Sequence, residues 1–292
     1  MKSRWKQYLL YASLIIVGGS FVFILIETVK AKTTGFETKT LWDWMQLLII
    51  PVILAVGAFF LNRSERKTER EIAKDRQQEQ ALQSYLDQMT ELLLEKDLGN
   101  TENLEIRLVA KTRTLTVLRG LDGQRKRYVL QFLRDARLIG GIFEGRQKSP
   151  VFDLAGADLS YADLRDADLS SVNLEKANLQ HADLRGVRTF ETHFIDADMR
   201  YANLQGANPH MSYFYRTDLS NANMRDAIFW DLVLKETKLQ FADLRGADFR
   251  HSAGLLDVDL TGANLKGAKI PEQHLTAKFL KGATMPDGTK HE

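Results

Sequence analysis

Between Phe152 and Arg250 the chain repeats one five-residue word. Steps of five from Leu154 to Phe249 meet twenty positions without an insertion, and eighteen are large and apolar; Thr189 and Pro209 are the exceptions. Alanine stands two places before twelve of them, and Asp or Asn one place before fourteen. Helices repeat near 3.6 residues and strands near 2, so neither produces this period. Fixed self-similarity over so long a stretch means a solenoid, in which each unit buries its apolar side against its neighbours.

The word A(D/N)LXX, as in "ADLSYADLRDADLS" (157–170), resembles that of the pentapeptide-repeat family. The resemblance covers about 100 of the 292 residues in full register, with a looser continuation through "VDLTGANLKGAKI". It implies a right-handed quadrilateral β-helix with four words per coil. The residues agree, because the words sort into four columns. The column starting at 162 reads ADLRD, ADLRG, ANLQG, ANMRD, ADLRG, whereas the one starting at 152 never begins with Ala. Each residue should stack on the one twenty later, at the strand spacing of about 4.8 Å. The Leu, Phe and Ala positions point inward, and Asp or Asn sits at corners where a short side chain bonds nearby amides. Both ends need caps. The helical segment before 150 suits one end. At the other, "SAGLLD" (252–257) is expected to insert one residue, and "MPDGTKHE" to end the chain in a turn.

The amino-terminal half has a different composition. Residues 8–26 and 44–61 are uncharged and long enough for two transmembrane helices, since a bilayer core needs about 20 residues. Trp42 and Trp44 fall where an aromatic belt would sit, and Pro51 reads as a kink. Lys2, Arg4 and Lys6 followed by "VKA" ending at Ala31 also fit a cleaved signal peptide, the alternative for the first span. The cluster of Arg63, Arg66, Lys67, Arg70, Lys74 and Arg76 places both termini in the cytoplasm. A charged helix follows, with an apolar face of Leu82, Tyr85, Leu86, Met89, Leu92 and Leu93, ending at Gly99 and Asn100. Two more helices are expected near 102–119 and 123–137, with Asp122 as N-cap. A small helical domain is favoured over a coiled-coil homodimer, whose heptads would have to run longer. The domains are therefore 1–62, a transmembrane hairpin; 63–148, a charged linker and small α-helical region; and 149–292, the β-helix with its carboxy-terminal cap.

Composition removes several functions. The chain has no cysteine, so disulfides, thiolate metal sites and cysteine nucleophiles are excluded, and its net charge of +2 gives no basic excess for nucleic acid. The histidines, His181, His193, His210, His251, His274 and His291, show no metal-ligand spacing. No phosphate loop or serine-nucleophile motif is present. The expectation is a non-enzymatic protein with no cofactor and no metal.

Three surface features stand out. Arg165, Arg185, Arg225 and Arg245 form a stripe beside Asp163, Asp183 and Asp243, read as a neutralised ladder. Tyr161, His181, Tyr201, Asn221 and Phe241 end the words of one column, read as an aromatic corner ladder that packs on itself. Phe190, His210 and Trp230 stack at twenty-residue spacing, with Ile195, Met211, Tyr213 and Tyr215 on neighbouring outward positions. Such a patch marks an interaction surface unless the helical domain or a terminal segment folds over it. These seven are the candidate partner-binding residues.

The layout of span pair, helical linker and carboxy-terminal repeats is similar to membrane members of the family in cyanobacteria, which implies a plasma or thylakoid membrane. The expected function is a scaffold whose partners are the lipid bilayer and a cytoplasmic or membrane protein. The rival reading is a DNA-mimicking inhibitor of an enzyme such as gyrase, the activity of some soluble family members with strongly acidic rods. Residues 151–250 hold 16 acidic and 11 basic side chains, a balance of only −5. A membrane sensor is the third reading.

Overall fold

A computed structural model describes residues 41–140, 142–143, 146–147, 150–252, 255, 257–271 and 279–292; for 41–64, Phe59 apart, and for 142–143 and 146–147 it describes the backbone alone. The chain divides into two units, Met1–Lys74 and Asp75–Glu292. In the first, the described residues belong to α1 (Leu41–Glu95), a 55-residue helix unbroken at Pro51 that continues into the second unit. Among the described residues no helix is long and apolar enough to cross a membrane. The expected span 8–26 lies outside them, and that at 44–61 is helical backbone whose side chains, Phe59 apart, also lie outside them.

In the second unit the end of α1 packs with α2 (Leu104–Gly120) and α3 (Gly123–Asp135). Leu82, Tyr85 and Met89 are buried on α1, against Ala110 and Leu118 of α2 and Val129, Leu130 and Leu133 of α3. The expected apolar face of α1 is therefore the packed one. α1 stops at Glu95, short of the expected Gly99, because Asp97 turns left-handed (φ 48°) and the Leu98 amide reaches back to the Leu92 carbonyl. Asn103 caps α2, its side chain accepting from the amides of Glu105 and Ile106. Asp122 caps α3 as expected, accepting from the Arg125 amide at 2.9 Å.

From Val151 the chain winds into a quadrilateral β-helix. Parallel bridges join each residue to the one twenty later, as in Asp158↔Asn178↔Asp198↔Asp218. Between coils the Leu159 amide donates to the Asn178 carbonyl at 2.7 Å, and the Asn178 amide returns to the Ala157 carbonyl at 2.9 Å. Every fifth residue from Gly156 to Gly246 has positive φ, including bulky ones such as Tyr161 (57°) and Tyr201 (61°). A left-handed residue at the third place of a β-turn bends the chain at each corner. The turn is closed by bonds such as Ala157 amide to Leu154 carbonyl at 3.0 Å. The Asp or Asn of each word supports it by accepting from the amide two residues on, at 2.8 Å for Asp153 and 3.0 Å for Asp158 and Asp168.

The lumen holds the side chains the repeat assigns to it. Leu154, Leu159, Leu164 and their successors are buried with the alanines, and Phe194–Phe214 and Phe229–Phe249 stack at 4.8 and 4.4 Å. Full burial of each large side chain contributes about 1.5–3 kcal/mol, which makes this column the main source of stability. Where Thr replaces the inward Ala its hydroxyl finds a carbonyl of the preceding coil, as Thr192 does with Leu169 at 2.8 Å.

A short antiparallel pair, β1 (Ile142–Phe143) and β2 (Arg146–Gln147), precedes the coil. The fourth side of the coil is the most strand-like: β3 (Arg188–Phe190), β4 (Asn208–His210), β5 (Ile228–Trp230) and β6 (Asp248–His251) form one parallel sheet. Arg188 pairs with Asn208 and Ile228 with Asp248, but Trp230 pairs with His251. The extra residue thus sits inside β6, earlier than the Ser252–Asp257 stretch where it was expected. A bulge forms most readily in a regular ladder, where two residues can oppose one. Later bridges carry the shift, as in Lys238↔Asp259, before Asn264↔Thr284 restores twenty. The carboxy-terminal tail turns back antiparallel, the Gly282 amide donating to the His291 carbonyl at 2.8 Å.

The first coil lacks a predecessor, and α2 and α3 stand in for it. Each of its four sides opens with an aspartate, and each meets a helix-borne cation: Lys111–Asp153 at 2.7 Å, Lys126–Asp158 at 3.4 Å, Arg127–Asp163 at 3.6 Å and Arg134–Asp168 at 3.0 Å. Lys126 and Arg134 also donate to the Ser160 and Ser170 carbonyls, at 2.9 and 2.7 Å. The Asp163 amide donates to the Gly123 carbonyl at 3.1 Å. Glycine is needed there, since a β-carbon would lie 2.1 Å from the Tyr161 carbonyl oxygen.

Candidate interaction surface

Three kinds of outward surface follow from the coil. On the side starting at 162, arginines bind the aspartate of their own word through two nitrogens: Arg165–Asp163, Arg185–Asp183 and Arg245–Asp243, each at 2.8 and 2.6 Å. These bonds hold the Asp163 carboxyl at about 2, well below its ordinary value, and lower Asp183 and Asp243. Arg225 follows an Asn and instead approaches Asp243 of the next coil at 3.8 Å. The arginine stripe is a neutralised ladder, as its sequence suggests.

Three of the five corner residues form a stack, while Asn221 interrupts the column and Phe241 is 62% exposed. Tyr161, His181 and Tyr201 lie 4.7 and 4.9 Å apart with their planes within 9° and 5° of parallel. Ring faces in such a stack are spent on one another.

The fourth side differs. Phe190, His210 and Trp230 stack with centroid distances of 5.3 and 5.9 Å, and the bulge brings His251 beneath Trp230 as a further rung at 4.9 Å. Their planes are tilted by 48–59°, so the ring faces stay partly open. Trp230 is 46% exposed, Met211 40% and Tyr213 39%. Among the described residues nothing covers them, because the helices sit on the first coil through Asp153 to Ser170.

Not all seven candidates share this edge. Phe190, His210, Met211, Tyr213 and Trp230 meet around the corner between the fourth and first sides, and Tyr213 packs edge-on to His193 at 4.8 Å. Tyr215 and the half-buried Ile195 lie at the far end of the first side. There Arg216 covers the Tyr215 ring at 4.1 Å and its hydroxyl donates to Glu236 at 3.3 Å. Ile228 and Val233, 42% and 37% exposed, extend the patch and were missed. Their signal was legible, since each holds an apolar residue where the word places Asp or Asn.

Among the described residues no three His, Asp or Glu side chains could hold a metal ion. A cavity of about 230 Å³ between α3 and the first coil is lined by Arg127, Arg134, Asp166 and Asp168, largely the ion pairs of the cap.

Residues 153–188 and 212–250 match the family model "Pentapeptide repeats" in eight copies. Among solved structures the chain is similar to HetL, a pentapeptide repeat protein involved in heterocyst differentiation regulation from the cyanobacterium Nostoc sp. strain PCC 7120. Identity is 26% over 48% of this chain and 87% of that one, with a TM-score of 0.20. A pentapeptide repeat protein of the Arabidopsis thaliana thylakoid lumen matches at 24% identity over 41% and 70%, with a TM-score of 0.24. QnrB1, a plasmid-mediated fluoroquinolone resistance protein, matches at 18% over 44% and 60%, with a TM-score of 0.24. A search of curated proteins finds no match. At these scores the fold rests on the repeat and its own hydrogen bonds.

Proposed function

This chain carries a pentapeptide-repeat domain, and we propose that it is a membrane-anchored, non-enzymatic scaffold whose coil presents the Trp230 edge to a protein partner. The anchor is the segment pair 8–26 and 44–61, with both termini in the cytoplasm of a bacterial plasma or thylakoid membrane. The observation that supports the reading most is the tilted ladder Phe190–His210–Trp230, in which Trp230 is exposed and the other two are half-buried. Large aromatic side chains left open at a surface are where binding energy concentrates. Gyrase-directed DNA mimicry is the weaker reading, because bidentate arginines neutralise the aspartates that would imitate phosphates.

Crosslinking and mass spectrometry on native membranes test the proposal. Trp230→Ala should lose the partners that wild type captures, at a cost on the order of 2 kcal/mol in binding, while the fold stays intact. Arg165→Ala should change neither. Identical partner sets from wild type and Trp230→Ala would overturn it.

A further inference from the structure

The charges around the aromatic edge point to the chemistry of its partner, and this inference rests on the scaffold reading. On the arginine side the aspartates are held within their own words. Around Trp230 that pairing is confined to Asp248 of the next coil, which Arg250 holds. Asp226 and Asp231 stand at the two corners that bracket its side, and Glu191 stands beside Phe190 in the corner column of Asp231. Among the described residues Asp226 and Glu191 have no ion-pair partner, and Asp231 has only His210 Nε2 at 4.0 Å. Carboxylates without cations therefore flank rings whose faces are partly open.

A guanidinium fits both features, since its flat face stacks on an aromatic ring while its edge bonds a carboxylate; an ammonium offers no such face. We propose that this surface binds an extended, arginine-bearing segment of a partner protein. One arginine lies on Trp230 against Asp231, and a second on Phe190 against Glu191. Phe190 and Trp230 are two coils apart, about 9.6 Å at the strand spacing of about 4.8 Å. A polyproline II segment returns to the same side every three residues, about 9.3 Å. The matching pattern is two arginines three residues apart, with His210 and Met211 beneath the residues between.

The full-length chain in detergent, titrated into a fluorescent peptide centred on Arg-Ala-Pro-Arg, tests this by anisotropy. The peptide should bind about ten-fold more tightly than its citrulline counterpart, which keeps the shape and loses the charge, or one with adjacent arginines. Trp230→Ala and Asp231→Asn should each weaken it about ten-fold. Asp163→Asn/Asp183→Asn, on the arginine side, should leave it unchanged. Equal binding of the citrulline peptide, or equal weakening by the Asp163/Asp183 variant, would overturn the assignment, the latter by showing diffuse attraction to an acidic rod. If the peptide fails while Trp230→Ala still loses native partners, the scaffold stands and the arginine chemistry falls. If neither responds to Trp230→Ala, both fall.

Discussion

The Arg134 guanidinium donates to the Ser170 carbonyl at 2.7 Å, the place that one coil later belongs to the Ser171 amide, which donates to the Phe190 carbonyl at the same distance. A side chain from a helix thus imitates the backbone of a missing coil. Gly140 makes room for it: φ is +77°, and a β-carbon there would lie 2.2 Å from Arg134 Nη1 and 2.9 Å from the Ser170 oxygen. Arg134→Ala should cost about 1–3 kcal/mol, the price of an edge carbonyl left without its donor and Asp168 without its nearest cation. Gly140→Ala should cost a similar amount or more, and the double variant less than the sum, because both act on one contact. Hydrogen exchange should quicken in the first coil and not around Leu244; uniform quickening would contradict the cap.

Leu204 and Gln205 are neighbours with opposite fates. Leu204 is 2% exposed in the lumen and Gln205 faces solvent. Leu204→Lys should abolish cooperative unfolding, since an unpaired charge there costs several kcal/mol, and Leu204→Ala should cost about 2–5 kcal/mol. Gln205→Ala should stay within about 0.5 kcal/mol. Denaturant titration checks all three, and similar losses at both positions would mean that the inward register is wrong.

Acid should loosen the coil through its paired aspartates. Hydrogen bonds from Arg165 and Arg250 hold Asp163 and Asp248 at about 2. Their folded values lie below the ordinary carboxylate value, so their contribution is complete above about pH 4 and is lost as pH falls toward 2. It is small for each pair, because the arginines are exposed. The thermal midpoint should therefore be flat above pH 5 and decline below 4, less steeply in Arg165→Gln/Arg250→Gln. A wild-type midpoint unchanged down to pH 2 would remove this role.

The proposed anchor has a topology to test. With Arg63 to Arg76 following the second span, a reporter fused at Glu292 should be active only if it works in the cytoplasm. Activity of a reporter that functions solely outside would reverse the orientation.

The coil was legible because its word assigns a direction to every residue: Leu154 through Phe249 sit inside or line the corners as the period requires. What the word could not carry was whatever lies off the period. Lys126 and Arg134 belong to helices without a repeat, and their bonds to Ser160 and Ser170 cross more than thirty residues of chain. His251 joins the ladder only because the bulge falls inside β6. Ile195 and Tyr215 belong to words that adjoin the column of Trp230, yet they stand at the other end of the adjoining side.

Unbroken register from Asp158 to Asp248 gives every residue an address. Its remainder on division by twenty is a bearing around the axis, and its quotient an altitude. Two chemical handles placed at numbers twenty apart share a bearing and differ by one step of about 4.8 Å. Splicing in one whole lap would lift everything beyond it by that step without turning it, and even a single extra residue is taken up locally, as the bulge in β6 shows. The chain can therefore be lengthened as a ruler is, in fixed graduations, with the Trp230 edge kept on the same meridian.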